Sequence, residues 1–335
     1  MFGLTPQRRY WLRKRLAKGE LWRAVQFKLY RTLERRLGLA QQADWRAKLP
    51  LAHADERYLF SQASPDQLRA EYRQHMRVVD GALQGIDVET TYPLIYERDG
   101  RFLRYALLPA RQRSRGLVVS FHGFNGFQHL GPSQPWEHFD LLTPWDTFGW
   151  RRQGSWFWGE SGQGFVAELI QGLIAQVQAE QPQRPIFCFG GSMGGFGALW
   201  HGLTLGEACL GLYVFMPQVD MVEKVRDDAQ AKNSPYRALM GAEGEASLPN
   251  LVDLARQRAN LPPLLLIQNQ YDAVNPYADH AAKLIRVYDE KRAWYGLRVY
   301  PASGHFAWGA SAEEADYFFR LILDKQPIRP AVPRR

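Results

Sequence analysis

A Gly-x-Ser-x-Gly sequence at residues 190–194 constrains the fold of this chain more than any other feature. The apolar run 185–189 before it predicts a buried strand, and residues 193–205 after it place apolar side chains at helical spacing. A strand that turns at once into a helix at this sequence is typical of a nucleophile elbow, with Ser192 exposed on the bend. The flanking glycines suit the unusual backbone angles of such a bend. The alternative is a glycine-rich turn with a structural serine.

A nucleophilic serine requires a base, and in this order of elements a histidine follows it along the chain. Two histidines, His280 and His305, lie well beyond the elbow. His305 follows the strand-like segment 296–300, from which a loop can return over the sheet edge, so we predict that it is the base. His280 lies in the helix-like segment 277–285, and we expect it on the protein surface.

The acid of a triad follows the strand that precedes the histidine. Asp272 comes directly after the apolar run 264–271, and we predict that it hydrogen-bonds the imidazole and stabilises the imidazolium. Asp220, which follows the strand-like segment 210–216, is the competing acid.

An oxyanion hole requires backbone N–H groups beside the nucleophile. A His-Gly sequence follows the apolar run 116–121, as in the oxyanion loops of esterases. The expected donors are the N–H of Met193 and that of Phe124 or Gly123. We expect His122 to brace this loop rather than to act in catalysis.

Tryptophans cluster between these two motifs, with five of the chain's 11 in residues 136–158. Indole faces stack on the C–H faces of sugars, which makes Trp156 and Trp158 candidate substrate-binding residues. Trp308, three residues after His305, is a third candidate. The alternative is that these rings belong to the core.

The order of these elements resembles that of the α/β-hydrolase superfamily across residues 86–325. The resemblance implies an α/β fold with a mainly parallel sheet flanked by helices. Asp99-Gly100 predicts a hairpin turn that opens the sheet with two antiparallel strands. Residues 220–262 break the strand–helix alternation where such enzymes carry a cap, and residues 326–335 form a C-terminal tail.

A narrower resemblance rests on residues 146–149 and 154–160 together with the elbow. They are similar to accessory-Sec proteins that O-acetylate the glycans of serine-rich adhesins, and to capsular-polysaccharide biosynthesis proteins of the XcbB/CpsF type. The resemblance implies chemistry on O-acyl groups, chiefly O-acetyl, of bacterial surface glycans or their precursors. Residue by residue, it assigns the triad to Ser192, Asp272 and His305.

Hydrolysis and acyl transfer share one acyl-enzyme, and the sequence leaves both open. No cofactor is expected, although a transferase would use an acetyl donor such as acetyl-CoA. The sequence has no P-loop, His-Glu-x-x-His or paired Cys-x-x-Cys, so we expect no catalytic metal. The rival hypotheses are a non-catalytic scaffold in a glycan assembly or export complex and a lipase-like esterase at the membrane.

Positive charge is concentrated at the N-terminus. Residues 1–50 carry 13 Lys and Arg against three acids, although the whole chain has a net charge of only +8. We predict a basic helical extension over residues 1–85, whose amphipathic part binds an anionic membrane, docks an acidic partner or packs on the catalytic domain. No nucleic-acid recognition module accompanies the charge. Without a long apolar run, we expect a cytoplasmic protein, which becomes peripheral at the inner membrane face if the basic segment binds the membrane.

Overall fold

The fold is described from a computed structural model, which covers residues 94–99, 101–124, 136–149, 154–222, 235–239, 249–305 and 310–324. The chain divides into two units, Met1–His75 and Met76–Arg335, and every described residue belongs to the second. The predicted extension 1–85, the tail 326–335 and Trp308 lie outside the described residues.

A mixed sheet of eight strands forms the centre of the described fold. In chain order the strands are β1 (Leu94–Arg98), β2 (Arg101–Leu108), β3 (Leu117–Phe121), β4 (Asp140–Trp145), β5 (Ile186–Gly191), β6 (Cys209–Phe215), β7 (Leu264–Tyr271) and β8 (Tyr295–Ser303). Their spatial order is β1-β2-β4-β3-β5-β6-β7-β8. The pairs β1–β2 and β2–β4 are antiparallel, and the other pairs are parallel.

Helices cover both faces of the sheet, as a mainly parallel sheet requires. They are α1 (Phe165–Ala179), α2 (Met193–Leu205), α3 (Leu251–Gln257), α4 (Ala281–Glu290) and α5 (Ala312–Asp324), with 3₁₀ turns at Gly206–Ala208 and Pro235–Leu239. Helices α1, α2 and α4 contribute to one buried apolar cluster, and α5 contributes to the other. None of the helices described is both long enough and apolar enough to span a bilayer.

Side chains on β3 alternate between the two apolar clusters, as the period of a strand predicts. Leu117, Val119 and Phe121 belong to the cluster under α1 and α2, whereas Val118 belongs to the cluster under α5. The strand is buried on both faces, which explains its continuous apolar sequence.

The predicted hairpin and elbow segments are confirmed as secondary structure. Arg98 pairs with Arg101 across the β1–β2 turn, and α2 begins at Met193, two residues after β5 ends. Strand β8 continues to Ser303, three residues beyond the predicted segment, because Ser303 pairs with Tyr271 of β7. This extension delivers the following loop to the carboxyl edge of the sheet.

The predicted cap region 220–262 is described only in part. Asp220, its first residue, forms an isolated antiparallel bridge with Asn250, which directly precedes α3. The Asn250 side chain caps α3 by accepting hydrogen bonds from the N–H groups of Val252 and Asp253. Between the bridging residues the structure describes the 3₁₀ turn Pro235–Leu239, and a role as a cap stays a prediction.

An ion pair ties the amino edge of the sheet to α1. Arg184 Nη1 lies 3.0 Å from Asp140 Oδ2, and the two side chains are 8% and 16% exposed. Arg184 also donates to the carbonyl of Val177 near the end of α1, while Asp140 accepts from the N–H of Ala110. The pair therefore joins three segments that are distant in sequence.

We expect Asp140→Ala to lower the free energy of unfolding by about 3 kcal/mol, because it leaves the Arg184 guanidinium buried without its counter-charge. Urea unfolding at neutral pH measures the change. The matched control is Arg256→Ala, which removes exposed pairs with Asp253 and Glu290 and should cost less than about 1 kcal/mol. Equal effects of the two variants would contradict a structural role for the buried pair.

Candidate active site

The bend between β5 and α2 places Ser192 in a left-handed conformation, with φ of 55° and ψ of −122°. Its N–H donates to the carbonyl of Phe215 at the end of β6. Only glycine fits beside it, since a Cβ on Gly194 would lie 2.0 Å from the Phe121 carbonyl oxygen and one on Gly190 would lie 2.2 Å from the Gly194 oxygen. The bend thus has the backbone geometry expected of a nucleophile elbow, and a strained serine at such a bend points to function.

Three predicted side chains meet at the carboxyl edge of the sheet. His305 Nε2 lies 2.6 Å from Ser192 Oγ, and His305 Nδ1 lies 2.7 Å from Asp272 Oδ2. The carboxylate of Asp272 is buried and its Oδ1 accepts hydrogen bonds from the N–H groups of Val274 and Asn275. These bonds hold Asp272 in place, so that it can fix the tautomer of His305 and leave Nε2 facing the serine.

Asp220, the competing acid, and His280, the other histidine, make contacts outside the triad. Asp220 Oδ2 lies 3.1 Å from Lys283 Nζ. His280 is buried, and its Nδ1 accepts from the N–H of Val219 at 3.2 Å. The expectation that His280 lies on the surface was therefore wrong, because its ring joins the start of α4 to the loop after β6.

Buried amide side chains, which sequence reasoning missed, connect the loops of the site. Asn275 Nδ2 donates to the Met216 carbonyl, and Gln268 Nε2 donates to the Asn275 carbonyl. Asn269 Nδ2 donates to the carbonyl of Gly304, next to the histidine. The signal was present in the sequence, since Gln268 and Asn269 are two polar residues late in an otherwise apolar strand.

The peptide between Gly123 and Phe124 is fixed by a buried histidine. His122 Nε2 accepts from the Asp146 N–H at 2.9 Å, so Nδ1 carries the proton and donates to the Gly123 carbonyl at 2.8 Å. Burial lowers the pKa of His122 to about 4, which keeps the ring neutral near pH 7. Because a trans peptide directs its C=O and N–H oppositely, this bond sets the direction of the Phe124 N–H.

Met193 is the first residue of α2, where backbone N–H groups have no intrahelical acceptor. Its N–H adjoins the nucleophile, and the positive end of the helix dipole favours negative charge there. The geometry is compatible with Met193 and Phe124 as oxyanion donors, which stays a prediction. Gly123, the alternative donor, also supplies the carbonyl that His122 holds, and its N–H as a donor stays a prediction.

Asp146 anchors the loop after β4, although the sequence assigned it no contact. Its buried carboxylate accepts hydrogen bonds from the N–H groups of Phe148, Ser155 and Phe157 and from the Ser155 hydroxyl. Desolvation raises its pKa to about 6 against the effect of these donors. The residue holds the 154–157 segment against the loop that carries His122.

Two of the tryptophan candidates, Trp156 and Trp158, pack against other aromatic side chains. Trp156 is 2% exposed, and its indole N–H donates to Gln218 Oε1. Trp158 is half-buried and packs edge-on against Trp200, with ring centroids 4.9 Å apart. Trp156 is too deeply buried for a sugar to stack on its ring, so the prediction of sugar contact is wrong for Trp156. Sugar contact by Trp158 stays a prediction.

Side chains suited to metal binding do not gather within the described ranges, where no group of three or more His, Cys, Asp or Glu could hold an ion. The two cysteines, Cys188 and Cys209, are buried and free.

Comparison with known proteins gives the fold and no family. No family model matches the sequence, and no curated protein matches it. Among solved structures, acylaminoacyl peptidase of Pyrococcus horikoshii is similar over 72% of this chain and 43% of its own, with 14% identity and a TM-score of 0.53. Est1E from Butyrivibrio proteoclasticus (70% of this chain, 99% of its own, 14% identity, TM-score 0.48) and esterase PE8 (66%, 99%, 20%, 0.45) also match.

The described residues therefore have an α/β-hydrolase-like fold, similar to that of the acylaminoacyl peptidase. The chain spans less than half the length of the acylaminoacyl peptidase that it matches. None of these similarities identifies a substrate or bears on the narrower resemblance to glycan-modifying proteins.

Another buried histidine, His201, lies on α2 after the elbow. His201 stacks on Phe121 with ring centroids 5.1 Å apart, and burial lowers its pKa to about 3. When the chain unfolds, this pKa returns toward its ordinary value of 6.5. Below that value the unfolded state binds a proton that the folded state does not, so His201 lowers stability as the pH falls.

We expect the free energy of unfolding of His201→Phe to fall less than that of the wild type as the pH is lowered. Between pH 7 and pH 5 the wild type should lose about 2 kcal/mol relative to this variant, since one pKa unit corresponds to about 1.4 kcal/mol. Urea unfolding of both proteins across this range gives the difference. Protonation of Asp146 has the opposite effect on stability, but both proteins contain Asp146, so its contribution cancels in the difference. Parallel stability profiles would show that His201 is not buried as described.

Proposed function

We propose that this chain is a serine-dependent enzyme that hydrolyses or transfers acyl groups of carboxylic esters. The observation that carries the proposal is the continuous hydrogen-bond chain from Ser192 through His305 to Asp272, with the serine on a left-handed bend. A structural serine has no need of a buried carboxylate behind an imidazole. The α/β-hydrolase-like fold supports the same chemistry only as an analogy.

In the proposed reaction His305 Nε2 takes the proton of Ser192 as Oγ attacks the ester carbonyl carbon. The tetrahedral oxyanion accepts hydrogen bonds from the N–H groups of Met193 and Phe124. The C–O bond to the alcohol then breaks, and His305 returns the proton to the leaving oxygen. Asp272 accepts the hydrogen bond from His305 Nδ1 throughout and stabilises the imidazolium.

The acyl-enzyme is resolved by the same steps in reverse. Water gives a free acid, and a sugar hydroxyl gives a transferred ester, with His305 accepting the proton in both cases. If the enzyme is a transferase, an acyl thioester such as acetyl-CoA is the donor. The ratio of acid to transferred ester in the presence of acceptor sugars distinguishes the two.

We expect wild-type protein to gain the mass of one fluorophosphonate adduct and Ser192→Ala to gain none. Intact mass spectrometry measures the adduct, and its rate of formation reports activation of the serine. Asp272→Asn should slow labelling on the order of 10³-fold or more, because the imidazole loses its orienting charge. Asp220→Asn is the matched control and should label at the wild-type rate. A wild type that stays unlabelled while folded would overturn the proposed function.

For the substrate, we propose an O-acyl ester on a bacterial surface glycan or its precursor. The motif resemblance supports this choice. So does Tyr271, which at 62% exposure is the most open of the large hydrophobic side chains that the structure describes. It directly precedes Asp272, and its open ring is suited to stacking on a sugar.

Tyr271→Ala should raise KM for an acetylated oligosaccharide on the order of 10-fold while leaving KM for p-nitrophenyl acetate unchanged, because the lost stacking involves only the sugar. Initial rates with the two substrates measure the effect. Tyr317, 56% exposed on α5, provides the control variant Tyr317→Ala. If Tyr271→Ala shifts both substrates equally, or neither, Tyr271 does not bind the sugar.

A further inference from the structure

Three aromatic side chains from distant segments form a continuous row, here named the aromatic wall. It consists of Phe124, Trp156 and Tyr236. The ring centroids of Phe124 and Trp156 lie 5.6 Å apart, and those of Trp156 and Tyr236 lie 4.6 Å apart. The last two are buried, whereas Phe124 is half-buried.

A buried amide locks two rings of the wall together. Gln218 accepts from the indole N–H of Trp156 and donates to the hydroxyl oxygen of Tyr236 at 2.7 Å. Both polar ends of the Gln218 side chain are thus satisfied by the wall, as a buried amide requires. Tyr236 lies in the predicted cap region, so this amide joins that region to the loop after β6.

The wall lies beside both expected oxyanion donors. Phe124 is itself one donor and contributes its ring to the wall. The segment of Trp156 also contacts the other donor, because a Cβ on Gly154 would lie 2.4 Å from the Met193 sulfur. Next to Gln218, Pro217 packs 3.0 Å from a Cβ position on Gly195, in the first turn of α2.

The backbone of the wall is held in an unfavourable conformation. Trp156 and Phe157 are consecutive non-glycine residues with φ of 56° and 55°. A left-handed residue other than glycine is strained and persists only where its surroundings impose this conformation. Asp146 imposes it here, by accepting the N–H groups of Ser155 and Phe157 on either side of Trp156. Strain maintained at a site edge indicates that the position of the ring matters.

From this arrangement, and on the basis of the proposed function, we infer that Trp156 closes the acyl side of the site and limits the enzyme to short acyl groups, from acetyl to butyryl. The leaving oxygen must face His305, which protonates it. The oxyanion faces the N–H groups of Met193 and Phe124, so the acyl chain takes the remaining direction, which we place against the rings of the wall beside Phe124. Gln218 and Tyr236 are positioning residues that hold the indole in place.

The test is the dependence of kcat/KM on chain length with p-nitrophenyl esters from acetate to octanoate. Wild type should prefer acetate to butyrate and react with octanoate on the order of 100-fold more slowly. Trp156→Ala should raise the ratio of octanoate to acetate activity on the order of 10-fold or more, because each methylene that gains room contributes to transition-state binding. Trp156→Phe keeps an aromatic ring and is compatible with the same fold. It should shift the preferred acyl chain length by one or two carbons.

Trp294→Ala is the matched control, since it removes an indole that packs on Phe318 rather than on the wall. It should leave the chain-length profile unchanged. Active sites are counted in each variant by labelling with a small fluorophosphonate. Labelled wild type that prefers octanoate, or an unchanged profile in both Trp156 variants, would overturn the inference while the proposed function stands. Absence of labelling in folded wild type would overturn the proposed function itself.

Discussion

The site depends on the contact between the backbone of the elbow and the end of β3. Gly194 lies so close to the Phe121 carbonyl that no side chain fits between them. This contact brings the first turn of α2 next to the loop that begins with His122, which is the placement that the predicted oxyanion donors require. A larger residue at Gly194 would separate them, and the serine would lose its electrostatic surroundings even if the imidazole still reached it.

Polar groups buried around this contact give the loops their positions. Neutral His122 receives the Asp146 N–H and holds the Gly123 carbonyl, while the Asp146 carboxylate gathers the N–H groups that follow it. On the opposite side, Asn269 and Asn275 bind the backbone near His305 and Met216. A buried polar group without a partner is costly, so each of these bonds restricts the loops to one arrangement.

The two sides of the site differ in chemical character. On the oxyanion side the aromatic wall is buried and cross-linked by Gln218, and its indole is held at a backbone conformation that costs energy. Next to the acid, Tyr271 is open to solvent. Under the proposed function, this arrangement would suit esters in which a small acyl group is attached to a large molecule. A long-chain lipase would have the opposite need.

The sequence alone determined the elbow and favoured His305 and Asp272 as its partners, with Asp220 left as the competing acid. The order of the strands came from the tertiary structure. Gly-x-Ser-x-Gly between an apolar run and a helical run allows few conformations, and parallel strands bring Asp272 and His305 to the same edge as Ser192. Tertiary structure decided which polar and aromatic side chains are buried. In the sequence His280 resembles a surface residue, and Trp156 and Trp158 resemble ligand-binding residues. In the structure they contact Val219, Gln218 and Trp200, respectively. The first two pairs are more than 45 residues apart along the chain, whereas Trp158 and Trp200 are closer. Burial depends on such long-range contacts, which periodicity and spacing do not encode.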